Sequence, residues 1–444
     1  AAALALLRRA TVASVVLLLP VALAAQLLFT VLLGIVLKWI IVGRLKVGAH
    51  PLWSWPFLRW WLAQRATAPA LEVLHHARGS PLANLAWRLL GARVGAGAVV
   101  DTVGISEADL VEIGENALIG DGARLCAHRF VPGAIVFGRV QVGAGAVVNP
   151  HAAVMADSVV GAGAELGPQS LLASAQTVPP NAYWEGAPAR AAERPERAGA
   201  HWVVRPPAGL EGSMLLALGA LYMLGVATLT LAPAALLLHH LPLVPAAAIA
   251  LQTLPALHLA LCVASQRLLV GHVPPGRRRP TTAQAAACWT ADRLLRGPLF
   301  GASLALWRGA IVPTYRYLGL RVGHGAALSA LQLGCDAHLV EIGAGALVGA
   351  GAAALPRLQL RDGSVVWRRI AVRPHAKLCE NVLLLGGSTV GEYSTLGALT
   401  VAAPHVRFVA DSAWVGSPPQ LRDSGLERYF DSLLSTAKGE QMTL

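Results

Sequence analysis

Charged residues are scarce in this sequence of 444 residues: they make up 14% of it, whereas hydrophobic residues make up 55%. So little charge argues against an ordinary soluble protein and for a membrane component, and the length allows two or more domains. The formal net charge is +12, and its one tight cluster is Arg277, Arg278 and Arg279. Beside apolar segments such a cluster typically faces anionic lipid headgroups or lies in a solvated loop. We therefore expect membrane lipid as a partner, and no nucleic acid.

Cysteine is also rare, and its spacing is uninformative. The five cysteines lie far apart without a CxxC pair. Neither a zinc site nor a disulfide framework is indicated, and a reducing compartment fits best. No His and carboxylate cluster has ligand spacing, so we expect no metal.

Three long uncharged runs cover residues 11–37, 214–238 and 241–265. Each exceeds or matches the roughly 20 apolar residues that cross a bilayer as a helix, and the second and third form a hairpin. The alternative is a set of buried helices in a soluble core. Basic residues follow the first and third runs, which places that side of the protein in the cytoplasm by the positive-inside rule. The tryptophan-rich segment 51–61 suits the bilayer interface, or else a buried aromatic cluster.

Aliphatic residues recur every six positions in both halves of the chain. A six-residue unit supplies one short strand and one turn, and three units make one triangular coil. A period of six fits neither an α-helix nor the alternating strands of a sandwich. We therefore predict a mainly β protein with transmembrane α-helices, containing two left-handed parallel β-helices, each preceded by membrane helices. The repeating positions are Val94, Val100, Ile113, Ile119, Leu125, Val142, Val148, Val154, Val160, Leu166, Leu172 and Val178, then Ile342, Val348, Val372, Leu378, Leu384, Val390, Leu396, Ala402 and Phe408.

The duplication extends beyond the repeats. Residues 111–114 match 340–343, and Leu7, Arg8 and Arg9 match Leu238, His239 and His240, so we expect the sequence to begin inside the first helix of a truncated hairpin. Both β-helices then lie on one side of the membrane. The predicted segments are a transmembrane helix (1–45), an interfacial Trp-rich segment (46–92), the first β-helix (93–200), a transmembrane hairpin (201–270), a basic juxtamembrane segment (271–320), the second β-helix (321–425) and a tail (426–444).

The first β-helix contains the candidate chemistry. Its repeats break between Leu125 and Val142, which releases a loop with His128 and Arg129. The layout of residues 94–190 resembles the hexapeptide-repeat acetyltransferases of the maltose, galactoside and nodulation type, through Ile113 to Asn116, Ile119 and Gly120, the loop histidine, and Gly186 to Arg190. The resemblance implies that His128 is the general base, with an acyl thioester on phosphopantetheine, from a carrier protein or CoA, as donor and no tightly bound cofactor.

Further site residues follow from this resemblance. We expect Asp101 to orient the acceptor, and Arg129, Asn116 and Glu112 to contact the substrate. The alternative for His128 is a solvent-exposed loop residue. His151, within a repeat, is expected at the surface, and the pair His75 and His76 is attributed to chance.

The second half has Arg357 where the first has His128. We therefore expect this copy to be catalytically empty and to act as a pseudo-symmetric partner of the first. A transferase predicts a narrow cavity lined by His128 and a carboxylate between the lobes, whereas a loop lying flat on the coil with His128 in bulk water would favour a non-catalytic scaffold.

A closer resemblance covers nearly the whole chain. Both halves have the same order of segments: a membrane helix, basic residues after it (Lys38 and Arg44 in the first half), a tryptophan segment, a segment that in the first half is residues 84–91, and a β-helix. This order resembles the C-terminal region of poly-lysine synthetase-like nonribosomal peptide synthetases. It implies a membrane-anchored acyl or aminoacyl transferase that works with upstream adenylation and carrier domains. The alternative is a non-catalytic membrane scaffold that docks a synthetase or exports its product.

Overall fold

A computed structural model describes residues 12–193, 201–329, 331–360 and 362–422. The predicted tail, the last residues of both predicted β-helix segments and the match of Leu7 to Arg9 with the hairpin lie outside these residues. Each half of the chain contributes apolar helices followed by one β-helix, which we call the first lobe (93–191) and the second lobe (321–422).

Apolar composition dictates the long helices. They are α1 (Val12–Ile41), α4 (Gly209–His240) and α5 (Leu243–Leu269). Within them, Leu17–Ile41, Gly209–His240 and Leu243–Leu269 are long and apolar enough to cross a membrane, as predicted. The shorter helices are α2 (Trp55–Leu74), α3 (Pro81–Leu90), α6 (Thr282–Leu295), α7 (Pro298–Leu306) and α8 (Ile311–Tyr317), with single 3₁₀ turns at His75–Ala77, Ala108–Leu110, Arg308–Ala310 and Ala337–Leu339.

The tryptophan-rich segment divides its side chains between two environments. Trp53 and Trp55 are exposed, at 79% and 72%, as an interfacial anchor requires, whereas Trp60 on α2 is 8% exposed and packs into the first lobe. Trp53 and Trp55 therefore match the expected interfacial segment, whereas Trp60 matches the expected buried aromatic cluster.

The strands of the first half are short because every repeat turns after two or three residues. They are β1 (Gly48–Pro51), β2 (Arg93–Val94), β3 (Val99–Val100), β4 (Gly104–Ile105), β5 (Val111–Ile113), β6 (Leu118–Ile119), β7 (Arg124–Leu125), β8 (His128–Val131), β9 (Ala134–Phe137), β10 (Val140–Val142), β11 (Val147–Val148), β12 (Ala153–Val154), β13 (Ser158–Val160), β14 (Glu165–Leu166), β15 (Leu171–Leu172), β16 (Thr177–Val178), β17 (Tyr183–Gly186) and β18 (Ala189–Ala191).

The second half repeats this layout. Its strands are β19 (Gly276–Arg278), β20 (Arg321–Val322), β21 (Ala327–Leu328), β22 (Val340–Ile342), β23 (Leu347–Val348), β24 (Ala353–Leu355), β25 (Arg357–Gln359), β26 (Val365–Trp367), β27 (Ile370–Val372), β28 (Lys377–Leu378), β29 (Leu383–Leu385), β30 (Thr389–Val390), β31 (Thr395–Leu396), β32 (Val401–Ala402), β33 (Ala413–Val415) and β34 (Gln420–Arg422).

Three sheets enclose each lobe, and their strands are parallel except for β18 and β34, which pair antiparallel with β17 and β33. In the first they run β16-β13-β10-β5-β2, β18-β17-β14-β11-β6-β3 and β15-β12-β7-β4. In the second they run β20-β22-β27-β30, β21-β23-β28-β31-β33-β34 and β24-β29-β32. Val142 pairs with Val160, so one coil takes three six-residue units. Every predicted repeat position is buried inside its coil, which confirms the two hexapeptide-repeat β-helices.

An antiparallel hairpin leaves each coil where the repeats break. In the first lobe β8 pairs with β9, and β1, which follows the membrane helix, adds a third strand. In the second lobe β25, β26 and β19 form the same arrangement. Each hairpin is thus fixed by a segment of chain that enters from the membrane side.

The two lobes touch through the corners of their coils. Gln169 of the first lobe donates a hydrogen bond to the carbonyl of Asn381 in the second, at 2.5 Å. Arg205, in the segment that joins the lobes, donates to the carbonyl of Asn116 at 3.0 Å and, through its backbone amide, to Gln359 Oε1 at 2.7 Å. These contacts support the predicted pseudo-dimer of lobes.

Candidate active site

His128 lies at the first position of β8, directly after the chain leaves the buried repeat at Leu125. Pairing of His128 with Phe137 across the hairpin fixes its backbone. The side chain is 21% exposed, so it is neither buried in the core nor free in bulk solvent. The hairpin therefore holds this imidazole at the edge of the coil, within reach of a ligand.

Glu107 is the carboxylate partner of this histidine. His128 Nδ1 lies 2.9 Å from Glu107 Oε2, and the Glu107 side chain is fully buried. Trp60 Nε1 and Gln64 Nε2, both on α2, donate to Glu107 Oε1 at 2.8 and 3.1 Å. With these donors the buried carboxylate is satisfied, and its position is fixed from two sides.

The backbone at Glu107 has φ 40°, in the left-handed region that a residue with a Cβ seldom adopts outside tight turns. Other corners of the coils share this conformation, among them Asn116, His151 and Ala175. It therefore belongs to the turns of the repeat, and it places Glu107 at a corner of the coil beside the hairpin.

Aromatic rings surround the His128 side of the His128–Glu107 pair, which we call the dyad. The His128 ring makes edge contacts with Trp60 and Phe130, at centroid separations of 5.2 and 5.5 Å, and Trp60 also contacts Phe137 at 5.9 Å. These rings restrict the rotation of the imidazole. Phe130 is 58% exposed, so the site opens toward solvent on that side.

The geometry defines which nitrogen is available for chemistry. A carboxylate that accepts from Nδ1–H holds the neutral imidazole in the tautomer whose Nε2 carries a lone pair. That nitrogen can accept a proton from an attacking amine or hydroxyl, and the carboxylate then stabilises the imidazolium. The pair can therefore act as a general base with an orienting acid residue.

The structure gives Asp101 a different setting from that of His128. Arg293 Nη2 lies 2.8 Å from Asp101 Oδ1, and Arg78 Nε lies 3.9 Å from the same oxygen. Burial raises the pKa of Asp101, against the opposing effect of Arg293 and Arg78. Asp101 thus belongs to the contact between the two halves, and the role of orienting an acceptor remains a prediction.

The three expected substrate contacts are spread over the coil. Arg129 follows His128 on β8 and is half-buried. Glu112 is exposed on β5, 3.5 Å from Gln141 and 3.9 Å from Arg93. Asn116 occupies a turn with φ 55°. Of these, the hairpin brings only Arg129 next to the dyad.

Sequence reasoning missed Glu107, Trp60 and Gln64. One signal could have found the carboxylate: extending the match of residues 111–114 with 340–343 by a few positions pairs Glu107 with Asp336, an acid in both copies. The same offset pairs Trp60 with Trp289.

The second lobe keeps an acid at the corner of its coil but has an arginine where the first lobe has His128. Arg357, 8% exposed, forms ion pairs with Asp336 and Asp292, and Trp367 Nε1 donates to Asp336 at 3.2 Å. Burial opposes ionisation of Asp292, but the guanidinium groups of Arg357 and Arg296 outweigh it and hold its pKa at about 2. A guanidinium is always protonated, so Arg357 cannot act as a base.

A cavity of about 1030 Å³ opens between the lobes. Equivalent corners of the two coils line it, together with His75, Asp121, His151 and Arg296. His128 is not among its lining residues, so the expected inter-lobe cavity exists but is lined by other side chains. His75 and His151, for which the sequence predicted no role in chemistry, line it instead.

Known proteins share parts of this architecture. Over 158 residues, 34% of the chain, the sequence is 32% identical to delta-poly-L-ornithine synthetase from Acinetobacter baumannii. The aligned part spans 12% of the length of that curated relative. The chain is thus similar to a poly-amino-acid synthetase, which confirms the predicted resemblance. No protein-family model matches the sequence.

Solved hexapeptide-repeat structures are also similar to part of the chain. A hexapeptide-repeat acetyltransferase from Vibrio cholerae shares 13% identity, with a TM-score of 0.25, over 30% of this chain and 92% of that one. Galactoside acetyltransferase in complex with coenzyme A shares 16% identity, with a TM-score of 0.26, over 33% of this chain and 86% of that one.

Proposed function

We propose that the chain is a membrane-anchored acyl or aminoacyl transferase whose first lobe transfers an acyl group from a pantetheine thioester to an amine or hydroxyl. The observation that carries the proposal is the 2.9 Å contact between His128 Nδ1 and the buried Glu107 carboxylate. A histidine oriented in this way, at the edge of a hexapeptide coil, suits general-base catalysis.

The proposed step transfers one proton. Nε2 of His128 removes a proton from the acceptor amine as its nitrogen attacks the thioester carbonyl. The C–N bond forms and the C–S bond breaks, and the protonated imidazole returns the proton to the leaving thiolate. Glu107 stays ionised throughout and stabilises the imidazolium.

The similarity to delta-poly-L-ornithine synthetase supports an aminoacyl donor and an amine acceptor. We infer that the thioester is presented by a carrier protein or CoA, and that adenylation and carrier domains are the partners. The lobes are proposed to face the cytoplasm, since Lys38, Arg44 and Lys46 follow the first span.

The proposal is tested by replacing His128. The purified chain in detergent is incubated with a panel of aminoacyl pantetheine thioesters and amine acceptors, and amide products are measured by mass spectrometry. His128→Ala is expected to lower turnover by about 10²- to 10⁴-fold, the usual contribution of a general base. The control is His324→Ala, which removes an exposed histidine of the second lobe. Full turnover by a folded His128→Ala variant would refute the proposal.

A scaffold role is proposed for the second lobe alone. Its Arg357 occupies the position of the proposed base and is held by Asp336 and Asp292. Arg357 also lines one cavity together with Asp101 and Asp121 of the first lobe. The alternative in which the whole chain is a scaffold predicts no product from any thioester, and unchanged binding of the synthetase partner by His128→Ala.

A further inference from the structure

A buried ion pair joins the end of the first membrane helix to the first lobe. Lys38, in the last turn of α1, places Nζ 2.8 Å from both carboxylate oxygens of Asp109, and the two side chains are 9% and 0% exposed. The backbone amide of Leu45 donates to Asp109 Oδ2 at 3.2 Å. A Cβ on Gly91, directly after α3, would overlap Asp109 Oδ1, so the end of α3 also encloses this carboxylate.

A buried ion pair adds little net stability to a fold. Removing two charges from water costs about as much free energy as their attraction returns, and apolar side chains of similar size often stabilise a structure equally well. Loss of only one partner is strongly destabilising, because the other charge is left unpaired in the interior. The pair between Lys38 and Asp109 is therefore better explained by the position that it fixes than by the stability that it adds.

The position in question is the coil corner that carries the dyad carboxylate. Asp109 lies two residues after Glu107, and the amide of Leu110 donates to the Glu107 carbonyl at 2.9 Å, which closes a single 3₁₀ turn. A small cavity of about 50 Å³ is lined by both members of the ion pair and by Glu107 with its two donors, Trp60 and Gln64. The ion pair and the dyad carboxylate thus border the same space.

The second half of the chain provides an internal comparison. By the offset between the matching repeats, Lys38 corresponds to Arg267 in the last turn of α5. Asp109 corresponds to His338, which carries no carboxylate. Arg267 donates instead to the backbone carbonyl of Tyr317, at 3.1 and 2.8 Å. The Lys–Asp pair therefore belongs to the half that contains the dyad and is replaced in the half that has an arginine in place of the histidine.

We infer that Lys38 and Asp109 are positioning residues for the dyad, because the docked end of α1 fixes the corner from which Glu107 contacts His128. This inference rests on the proposed function, since it assigns a role within the same site. The first membrane helix is then part of the framework that holds the catalytic histidine, in addition to being an anchor.

The first test measures kcat and KM of the whole chain in detergent with the thioester and amine panel. Lys38→Met should lower kcat by up to about 100-fold, the effect of misplacing a catalytic group by about 1 Å, and should change KM little. Lys38→Arg keeps a cation beside Asp109 and should retain most of kcat. The matched control is Arg267→Met, which removes the corresponding cation of the second half and should leave kcat unchanged.

A double variant separates position from stability. Lys38→Met combined with Asp109→Asn leaves no unpaired buried charge, so the melting temperature in detergent should return toward that of the unmodified chain. The fixed geometry is still lost, so kcat should stay low. Recovery of both the melting temperature and kcat in the double variant would overturn the inference, because the pair would then act on stability alone.

A second readout does not depend on turnover. Hydrogen–deuterium exchange, followed by mass spectrometry, reports on the turn that carries Glu107. Lys38→Met should increase exchange at the Leu110 amide and leave the amides of β11, inside the coil, unchanged. Unchanged exchange at Leu110, or an equal increase throughout the first lobe, would overturn the positioning role. A chain that forms no product but shows the local increase would contradict the proposed function and not the fixing of this corner by α1.

Discussion

At the scale of single residues, the first lobe has a histidine where the second has an arginine. His128 and Arg357 occupy equivalent positions on equivalent hairpins, and each contacts an acid at the corner of its coil. An imidazole can act as a base, whereas a guanidinium stays protonated and cannot. The difference in proposed function between the lobes therefore rests on side-chain chemistry and not on architecture.

Glu107 is expected to act as a positioning residue. Glu107→Gln keeps an oxygen acceptor for Nδ1 but removes the charge that stabilises the imidazolium, so kcat should fall, by less than in His128→Ala, while KM stays unchanged. The control Glu115→Gln removes an exposed carboxylate and should change neither kcat nor KM. Full kcat in the Glu107→Gln variant would exclude this role.

At the scale of elements, the stacking of coils depends on glycines at tight corners. A Cβ on Gly143 would lie 2.5 Å from the backbone nitrogen of Ala162 in the next coil. Gly145 has φ +65° but nothing within 4 Å of its Cβ position. Ala175 already adopts this left-handed turn with φ 62°, so the conformation tolerates a methyl group.

Gly143→Ala and Gly145→Ala therefore form a matched pair. Gly143→Ala should destabilise the first lobe by about 1–3 kcal/mol, the usual cost of overpacking, or by more if the backbone cannot shift. Gly145→Ala should cost about 1–2 kcal/mol at most, the penalty of the left-handed conformation alone. Thermal unfolding in detergent measures both, and a larger loss for Gly145→Ala would contradict the stacking explanation.

The elements also show what the sequence could predict. Every sixth residue is buried in a coil, and the aliphatic residues Val142, Val148 and Val154 show this period in the sequence itself. The coils could therefore be predicted from the local sequence pattern. Glu107 and Trp60 were missed because they contact His128 only in the folded chain. Trp60 lies on α2 and Glu107 at a corner of the coil, 47 residues apart in sequence. Asp101 and Asp121 likewise acquire partners from the second half, Arg293 on α6 and Arg296 directly after it, which only the packing of the two halves brings near them.

At the scale of the whole molecule, the junction of the two halves combines ion pairs with the partly buried pair His75 and His76. Arg293 and Arg296 of the second half pair with Asp101 and Asp121 of the first. Beside them, burial lowers the pKa of His75 to about 3 and that of His76 to about 4, and the arginines add to the effect. The folded state therefore holds both rings neutral.

This junction predicts an acid-sensitive stability. In the unfolded chain the two histidines take up protons near their ordinary pKa of about 6.5, whereas in the folded chain they do so only near 3 and 4. Their contribution is complete above about pH 6.5 and declines as the pH falls toward 4, because the unfolded state then binds more protons. The melting temperature in detergent should fall over this range.

The double variant His75→Gln, His76→Gln should show a shallower fall between pH 6.5 and pH 4.5, a range above the ordinary pKa of carboxylates. The slope should not vanish, since burial also lowers the pKa of His151 and His201. His324→Gln, the exposed control, should keep the slope of the unmodified chain. If the double variant and the unmodified chain lose stability in parallel, His75 and His76 are not the groups that make the junction between the two halves sensitive to acid.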